Sequence, residues 1–276
     1  MTLPASLETH RSFWIASTLQ SSYPTLTQDL KVDVAIVGAG LVGITAATLL
    51  KKAGKSVAVL EAGRVAEGVS GHTTAKVSSL HQLIYSKLID QIGQDKARLY
   101  GESNQAALEQ MATLVQDEHI DCDFERKDAY TFATEAKNLE KVKAEAEAAQ
   151  LLGLPASYAG EAPLPFDILG AVKFSHQAQF HPRKYILNLA GKIHGDGGYV
   201  FENTRVKTVD GENPCKVETV HGPTVSAKDV IVATHLPILD QGLFFAKTFP
   251  KRSYLIGARI DPARAPDAML IGTGEK

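Results

Sequence analysis

The chain has 276 residues, 44% of them apolar and 22% charged, and its 29 basic and 31 acidic side chains leave a formal charge of −2. That balance carries no electrostatic footprint for nucleic acid or an acidic membrane surface. No apolar run reaches the ~20 residues of a membrane span, and two cysteines, Cys122 and Cys215, are too few for a disulfide framework, an iron–sulfur cluster or a structural zinc site. With no basic-then-apolar leader after Met1, a cytoplasmic protein with reduced thiols is expected.

In chain order, residues 1–30 are polar on the whole, with a Trp14 anchor and turn residues at Ser21, Ser22 and Pro24, and are expected to form a lead-in arm that packs Trp14. Residues 32–37 are a short apolar run, expected as a buried parallel strand. Residues 41–53 read as a helix with Gly54 suited to its C-terminal cap, and 56–60 as a second buried strand. A β-turn-α-β unit is thus complete in about thirty residues. Residues 63–79 are a loop rich in Gly, Ser and Thr. Leu108, Met111, Leu114 and Val115 give 95–119 a helical period. Residues 129–133 read as a strand, the Ala-, Glu- and Lys-dense 137–152 as a solvated helix, 155–165 as a loop and 171–174 as a strand. A helix over 181–194 starts near Pro182 and is ended by Gly195, Gly197 and Gly198. Strands are expected at 199–201, 206–209, 215–220 and 230–233, and 253–260 with 269–272 as the start of another sheet. There is no internal repeat and no low-complexity linker.

The sharpest motif is Gly38-Ala39-Gly40-Leu41-Val42-Gly43, a G-x-G-x-x-G between a predicted strand and a predicted helix. The following strand ends at Glu61, close to the ~20-residue spacing of a ribose-binding acid. Gly38 permits the tight turn, Gly40 lets backbone N–H groups approach a pyrophosphate, and Gly43 lets helix and strand pack closely. The pyrophosphate then lies at the positive end of the helix. Glu61 accepts hydrogen bonds from a ribose diol, and its charge disfavours a 2′-phosphate.

The block after Glu61, Ala62-Gly63-Arg64-Val65-Ala66-Glu67-Gly68-Val69-Ser70-Gly71-His72-Thr73-Thr74-Ala75-Lys76, resembles the glycine-rich segment of FAD-dependent amine and D-amino-acid oxidoreductases, the D-amino-acid/glycine oxidase (DAO) superfamily. There the segment passes along the pyrophosphate toward the flavin, so the resemblance implies FAD as cofactor and gives roles to Ala62, Gly63, Arg64, Ser70, Thr73 and Thr74. An NAD-dependent enzyme, the other reading of the glycine turn, usually continues from the acid straight into another βα unit. Ala178-Gln179-Phe180-His181-Pro182 resembles the stretch that returns the chain to the flavin domain. Thr204-Arg205-Val206 resembles a strand laid against the adenine, with Val206 in the site. Ala233-Thr234, after Val230-Ile231-Val232, resembles the strand end that closes it. Ser12-Phe13-Trp14, Thr73-Thr74-Ala75-Lys76, Ala233-Thr234-His235 and Arg252-Ser253-Tyr254 resemble, more narrowly, the flavin portion of a subgroup with a C-terminal Rieske domain, whose paired Cys and His ligands are absent here.

The resemblance implies a Rossmann-like, doubly wound α/β FAD-binding domain (1–89 and 177–235) with an interleaved α+β substrate domain (90–176 and 236–276). That second domain is expected to be incomplete at its C-terminus, since related enzymes continue past Gly274-Glu275-Lys276. The implied reaction is oxidation of a small-molecule amine or amino acid by hydride transfer to the flavin, with a redox partner or completing chain as a possible further partner. The alternative is a non-catalytic or partner-dependent nucleotide-binding remnant. No residue is identified as catalytic. His72, His81 and His235 are of a residue type whose ordinary pKa range suits proton transfer, but they read first as hydrogen-bonding or surface histidines. Tyr130 and Arg252 are candidates to face a substrate carboxylate, and both cysteines read as inert thiols.

Overall fold

The structure, a computed structural model, describes residues 11–239, 242–249, 251 and 253–274. The elements run α1 (Phe13–Ala16), β1 (Leu30–Val37), α2 (Leu41–Lys52), β2 (Val57–Leu60), β3 (Lys76–Val77), α3 (Tyr85–Ile92), α4 (Gln94–Asp117), β4 (Glu125–Ala133), α5 (Ala136–Leu151), β5 (Ala156–Ala159), β6 (Gly170–Gln179), α6 (Pro182–Ile193), β7 (Gly198–Phe201), β8 (Val206–Asp210), β9 (Cys215–Thr219), β10 (Thr224–Val232), α7 (Phe244–Lys247) and β11 (Ala268–Gly272). They form two compact units, Met1–Thr74 with His181–Gly257 and Ala75–Phe180 with Ala258–Lys276. The sequence reading divides the chain at 89/90, 176/177 and 235/236. Residues 75–89 go with the second unit because β3 pairs antiparallel with β6 there.

The first unit is built on a sheet of order β7-β2-β1-β10-β9-β8. β7, β2, β1 and β10 are parallel, with Val37 beside Leu60 on one side and Val232 on the other. β9 and β8 extend the sheet antiparallel. The continuous apolar run of β1 follows from its central place, since Ala35 and Ile36 are wholly buried. Helix α2 crosses from β1 to β2. Its Lys51 Nζ donates to the carbonyls of Ile193 at 2.8 Å and Gly195 at 2.7 Å, so an ammonium neutralises the C-terminal end of α6. The start of β1 is pinned from the side. Asp33 accepts from Lys228 Nζ at 2.8 Å and from Ser56 N and Oγ at 2.9 and 2.8 Å, contacts that hold its carboxyl well below the usual carboxylate range.

The second unit has a sheet of order β11-β4-β6-β3, with β5 also paired to β6. Its core gathers Tyr85, Val142, Leu152, Val172 and Phe174, with Tyr85 stacked on Phe174 at 5.8 Å. Glu145 of α5, fully buried, accepts from the backbone N–H of Ile84, Tyr85 and Ser86 at 2.7–2.9 Å, so one helix supplies the N-terminal cap of another.

Several expectations need correction. Residues 155–165 contain β5, which finds its hydrogen bonds on β6. The strand expected at 171–174 lies in the first half of the ten-residue β6, which runs on to Gln179. The strand expected over 253–260 is absent among the described residues: Tyr254 and Ile256 are each 95% exposed and no ladder receives them. Helix α3 was not anticipated, because its cap comes from Glu145, some sixty residues away in sequence. Among the described residues no helix is long and apolar enough to cross a membrane.

Candidate functional site

The glycine motif occupies the turn from β1 to α2. Gly38 has φ +105°, and a Cβ there would lie 2.7 Å from the carbonyl oxygen of Ala233. Ala233 N in turn donates to Val37 O at 2.8 Å, so the end of β10 lies hard against the turn. A Cβ on Gly43 would collide with Gly38 O, which is why the helix can sit so near its own entry turn. Glu61 follows β2 directly. Its Oε2 accepts from Ala39 N at 2.8 Å and its Oε1 from Gly63 N at 2.9 Å. Ser70, in a 3-10 turn over Val69–His72, accepts at Oγ from Leu41 N at 2.9 Å, on the first residue of α2.

These groups border a cavity of about 380 Å³. It is lined by Val37 to Gly40 from the turn, Leu60 to Ala62 from the end of β2, and Ala66 and Gly68 to Ser70 from the following loop. Arg205 and Val206 at the start of β8, Ala233 to Leu236, and Ile238 close the far side. Of the expected cofactor residues, Gly38, Ala39, Gly40, Glu61, Ala62, Ser70, Val206, Ala233 and Thr234 line it. The others lie around it. Leu41 contributes its N–H to Ser70, and Val42 is 66% exposed on α2. Gly43 packs against the turn, and Gly63 donates to Glu61. Arg64 Nη1 donates to Ser21 O at 2.6 Å, Thr73 O accepts from Trp14 Nε1 at 2.8 Å, and Thr74 is exposed.

His235 lines the cavity, with φ +66°. His72 Nδ1 is 2.9 Å from Gly68 O, and His81 Nδ1 is 2.7 Å from Tyr100 Oη in the second unit. Tyr130 lies on β4 of the second unit beneath the Lys173 ammonium. Arg252 lies outside the described residues. Among the described residues Cys122 and Cys215 form no disulfide. Among the described residues no group of three or more His, Cys, Asp or Glu is placed to hold a metal ion.

The sequence reading passed over Glu202. It follows β7 as Glu61 follows the neighbouring parallel β2, but it is 1% exposed and engaged by three protein donors. Its carboxylate accepts from Ser21 Oγ, from Val65 N at 2.8 Å and from Tyr23 N at 3.0 Å. An acid directly after a short apolar strand was the available signal.

A parallel sheet with a glycine turn, an acid at the end of the second strand and an antiparallel extension defines a dinucleotide-binding unit. Residues 33–270 match the family described as FAD dependent oxidoreductase, DAO, and the chain belongs to it. FAD is that family's cofactor. The chain is 35% identical over 254 residues to YhfW of Bacillus subtilis (strain 168), named for a Rieske 2Fe-2S iron–sulfur protein, covering 91% of this chain and 50% of that one. It is 30% identical over 244 residues to gamma-glutamylputrescine oxidoreductase of Escherichia coli (strain K12), covering 84% and 56%. The chain thus spans about half the length of these relatives. Among solved structures, L-proline dehydrogenase from P. horikoshii aligns with a TM-score of 0.63 at 16% identity, covering 89% of this chain and 65% of that one. Glycine oxidase from Geobacillus kaustophilus aligns at 0.61 and 21%, covering 74% and 55%. These two likenesses bear on fold.

The residues present fit FAD. The cavity is bordered by Gly40, the N-terminal cap of α2, and by a carboxylate, so it lies at the positive end of a helix and beside an acceptor, the pair of features a pyrophosphate and a ribose diol require. The positions nearest the turn are glycines, and a side chain there would strike backbone or Ser70.

Proposed function

We propose that this chain holds FAD in the cavity of the first unit and serves in the oxidation of a small-molecule amine or amino acid. The observation that carries the reading is Glu61. Its carboxylate closes the β1–α2 turn through Ala39 N and also lines the cavity. Bound FAD supplies a two-electron acceptor, and the protein supplies position and electrostatics. In this assignment the N-terminal N–H groups of α2 carry the pyrophosphate, Glu61 accepts from the ribose hydroxyls, and Ser70 borders the phosphates. Val206 and Arg205 flank the adenine, and Ala233 and Thr234 close the site against the turn. The amine or amino-acid class is supported by the relatives' names.

The test is the visible spectrum of purified protein, followed by titration of the flavin-free protein with FAD, FMN and NAD. Flavin bands with a preference for FAD support the reading. Protein that takes up NAD but no flavin refutes it.

A second reading, association with a completing or redox partner chain, is favoured by one observation. Leu243, Phe245, Phe249, Leu255 and Ile260 are each more than half exposed within a short stretch, an apolar density that single surface residues do not explain. Sedimentation of the purified chain with and without the extended form of a relative such as YhfW tests it.

A further inference from the structure

The arm of residues 12–21 is not accounted for by the cofactor site, yet it touches the cradle loop 61–74 repeatedly. Trp14 Nε1 donates to Thr73 O at 2.8 Å. Ile15 packs against Gly71, where a Cβ would lie 3.3 Å from its side chain. Arg183, 1% exposed, joins both segments: Nη1 donates to Thr18 Oγ1 and, at 2.8 Å, to Leu19 O, while Nη2 stands 3.6 Å from Glu67 Oε1. Ser21 donates to Glu202, which accepts from Val65 N, and Ser21 O accepts from Arg64.

The base of the arm is itself held. Ser17 Oγ is 3.0 Å from His181 Nε2, and the Trp14 ring meets the His181 ring edge-on at 4.9 Å. His181 is 4% exposed, and its Nδ1 accepts from Lys184 N at the start of α6. The arm therefore joins a fixed helix to a loop that has little secondary structure of its own. That loop carries Ser70, the side chain standing over the N-terminus of α2.

We infer that residues 12–21 are a strap that sets the shape of the cradle loop, with Trp14 the positioning residue that governs how long the cofactor stays bound. The inference rests on the assignment of FAD to the cavity. Loops with few backbone hydrogen bonds open locally at low cost, and a bond from outside raises that cost. Loss of one half-buried hydrogen bond corresponds to roughly a three- to tenfold change in the opening equilibrium.

The test is Trp14→Phe, which keeps an aromatic ring and removes the N–H, with Ser21→Ala as a second variant that cuts the strap at its other end. FAD release is followed by the return of flavin fluorescence on dilution. Hydrogen exchange at Ala66 and Gly71 amides is read on flavin-free protein. Lys51→Met, which strips the cap from α6 away from the loop, is the control for lost stability. Both strap variants are expected to release FAD about three- to tenfold faster and to lose protection at Ala66 and Gly71 while keeping it in β1 and β2. Unchanged exchange at those two amides, or equal quickening of release by Lys51→Met at a similar thermal midpoint, overturns the strap. Wild-type protein that takes up no FAD overturns the cofactor assignment instead, and the exchange comparison still decides whether the arm holds the loop.

Discussion

Glu61→Gln is the sharpest probe of the site, because it changes charge while nearly preserving shape. The two carboxylate oxygens of Glu61 accept from Ala39 N at 2.8 Å and from Gly63 N at 2.9 Å. An amide in the same place presents one oxygen and one NH2. Whichever way it is turned, one backbone N–H faces a donor and loses its acceptor. The proposed ribose diol also loses a charged acceptor. Hydrogen bonds to charged groups are worth about 1.5–3 kcal/mol, against about 0.5–1.5 for neutral ones. If the charged bond to the ribose is lost outright, FAD affinity falls roughly ten- to a hundredfold. Quenching of flavin fluorescence on titration of flavin-free protein measures it. FMN, which has no adenosine ribose, is the internal control, and its weaker binding should not change. A variant that binds FAD like the wild type, or that loses FAD and FMN affinity equally, would refute the placement of the ribose at Glu61.

Gly43→Ala places a methyl into Gly38 O; it should cost about 1–3 kcal/mol of stability, read as a lower urea midpoint, and weaken FAD uptake in parallel. Glu145→Ala leaves three N–H groups at the start of α3, one buried and two partly buried, without an acceptor; a loss of roughly 2–4 kcal/mol is expected, and a loss under about 1 kcal/mol in urea unfolding would show that water replaces the cap. Asp33 is held below its ordinary value first by its hydrogen bond to Lys228 and then by Ser56. A depressed carboxyl contributes stability above the unfolded value of about 3.9 and loses it as pH falls. Asp33→Asn should therefore be less stable than wild type at pH 7, with the gap closing below about pH 4, and a gap that widens on acidification contradicts the assignment.

What was legible in the sequence was what is local. Residues 32–61 hold a strand, a turn, a helix and a second strand in one short stretch, and each signal there answers to a neighbour a few residues away. The Gly38 and Gly43 positions follow from turn geometry alone. The strand at 230–233 was legible as an apolar run, but its pairing with β1, which sets Ala233 against the turn, depends on a partner some two hundred residues away. The elements that escaped depend on distant partners. β5 exists because β6 offers an edge, and α3 because Glu145 offers a carboxylate. The expected strand at 253–260 fails for the converse reason: β-prone residues with no ladder to join remain exposed outside any strand. Arg205, Leu236 and Ile238 reach the cavity through the meeting of β8 and the segment after β10 with the turn, a meeting no local pattern announces.

Glu61 and Glu202 carry the same argument down to single side chains. Both are acids placed directly after short, buried, adjacent parallel strands, and a sequence gives no reason to prefer one as a ligand for a diol. A carboxylate has about four lone-pair sites. Glu202 is 1% exposed and takes three protein donors, so most of its acceptor capacity offsets its burial and its charge is spent on joining the arm to the loop. Glu61 is only partly buried, takes two donors, and borders the cavity. About two acceptor sites remain, the number that two ribose hydroxyls need. The carboxylate left with about two unused sites at a cavity wall is the one suited to binding a ligand, and the buried one, with three of its roughly four sites taken by the protein, is suited to holding the binding loop in place.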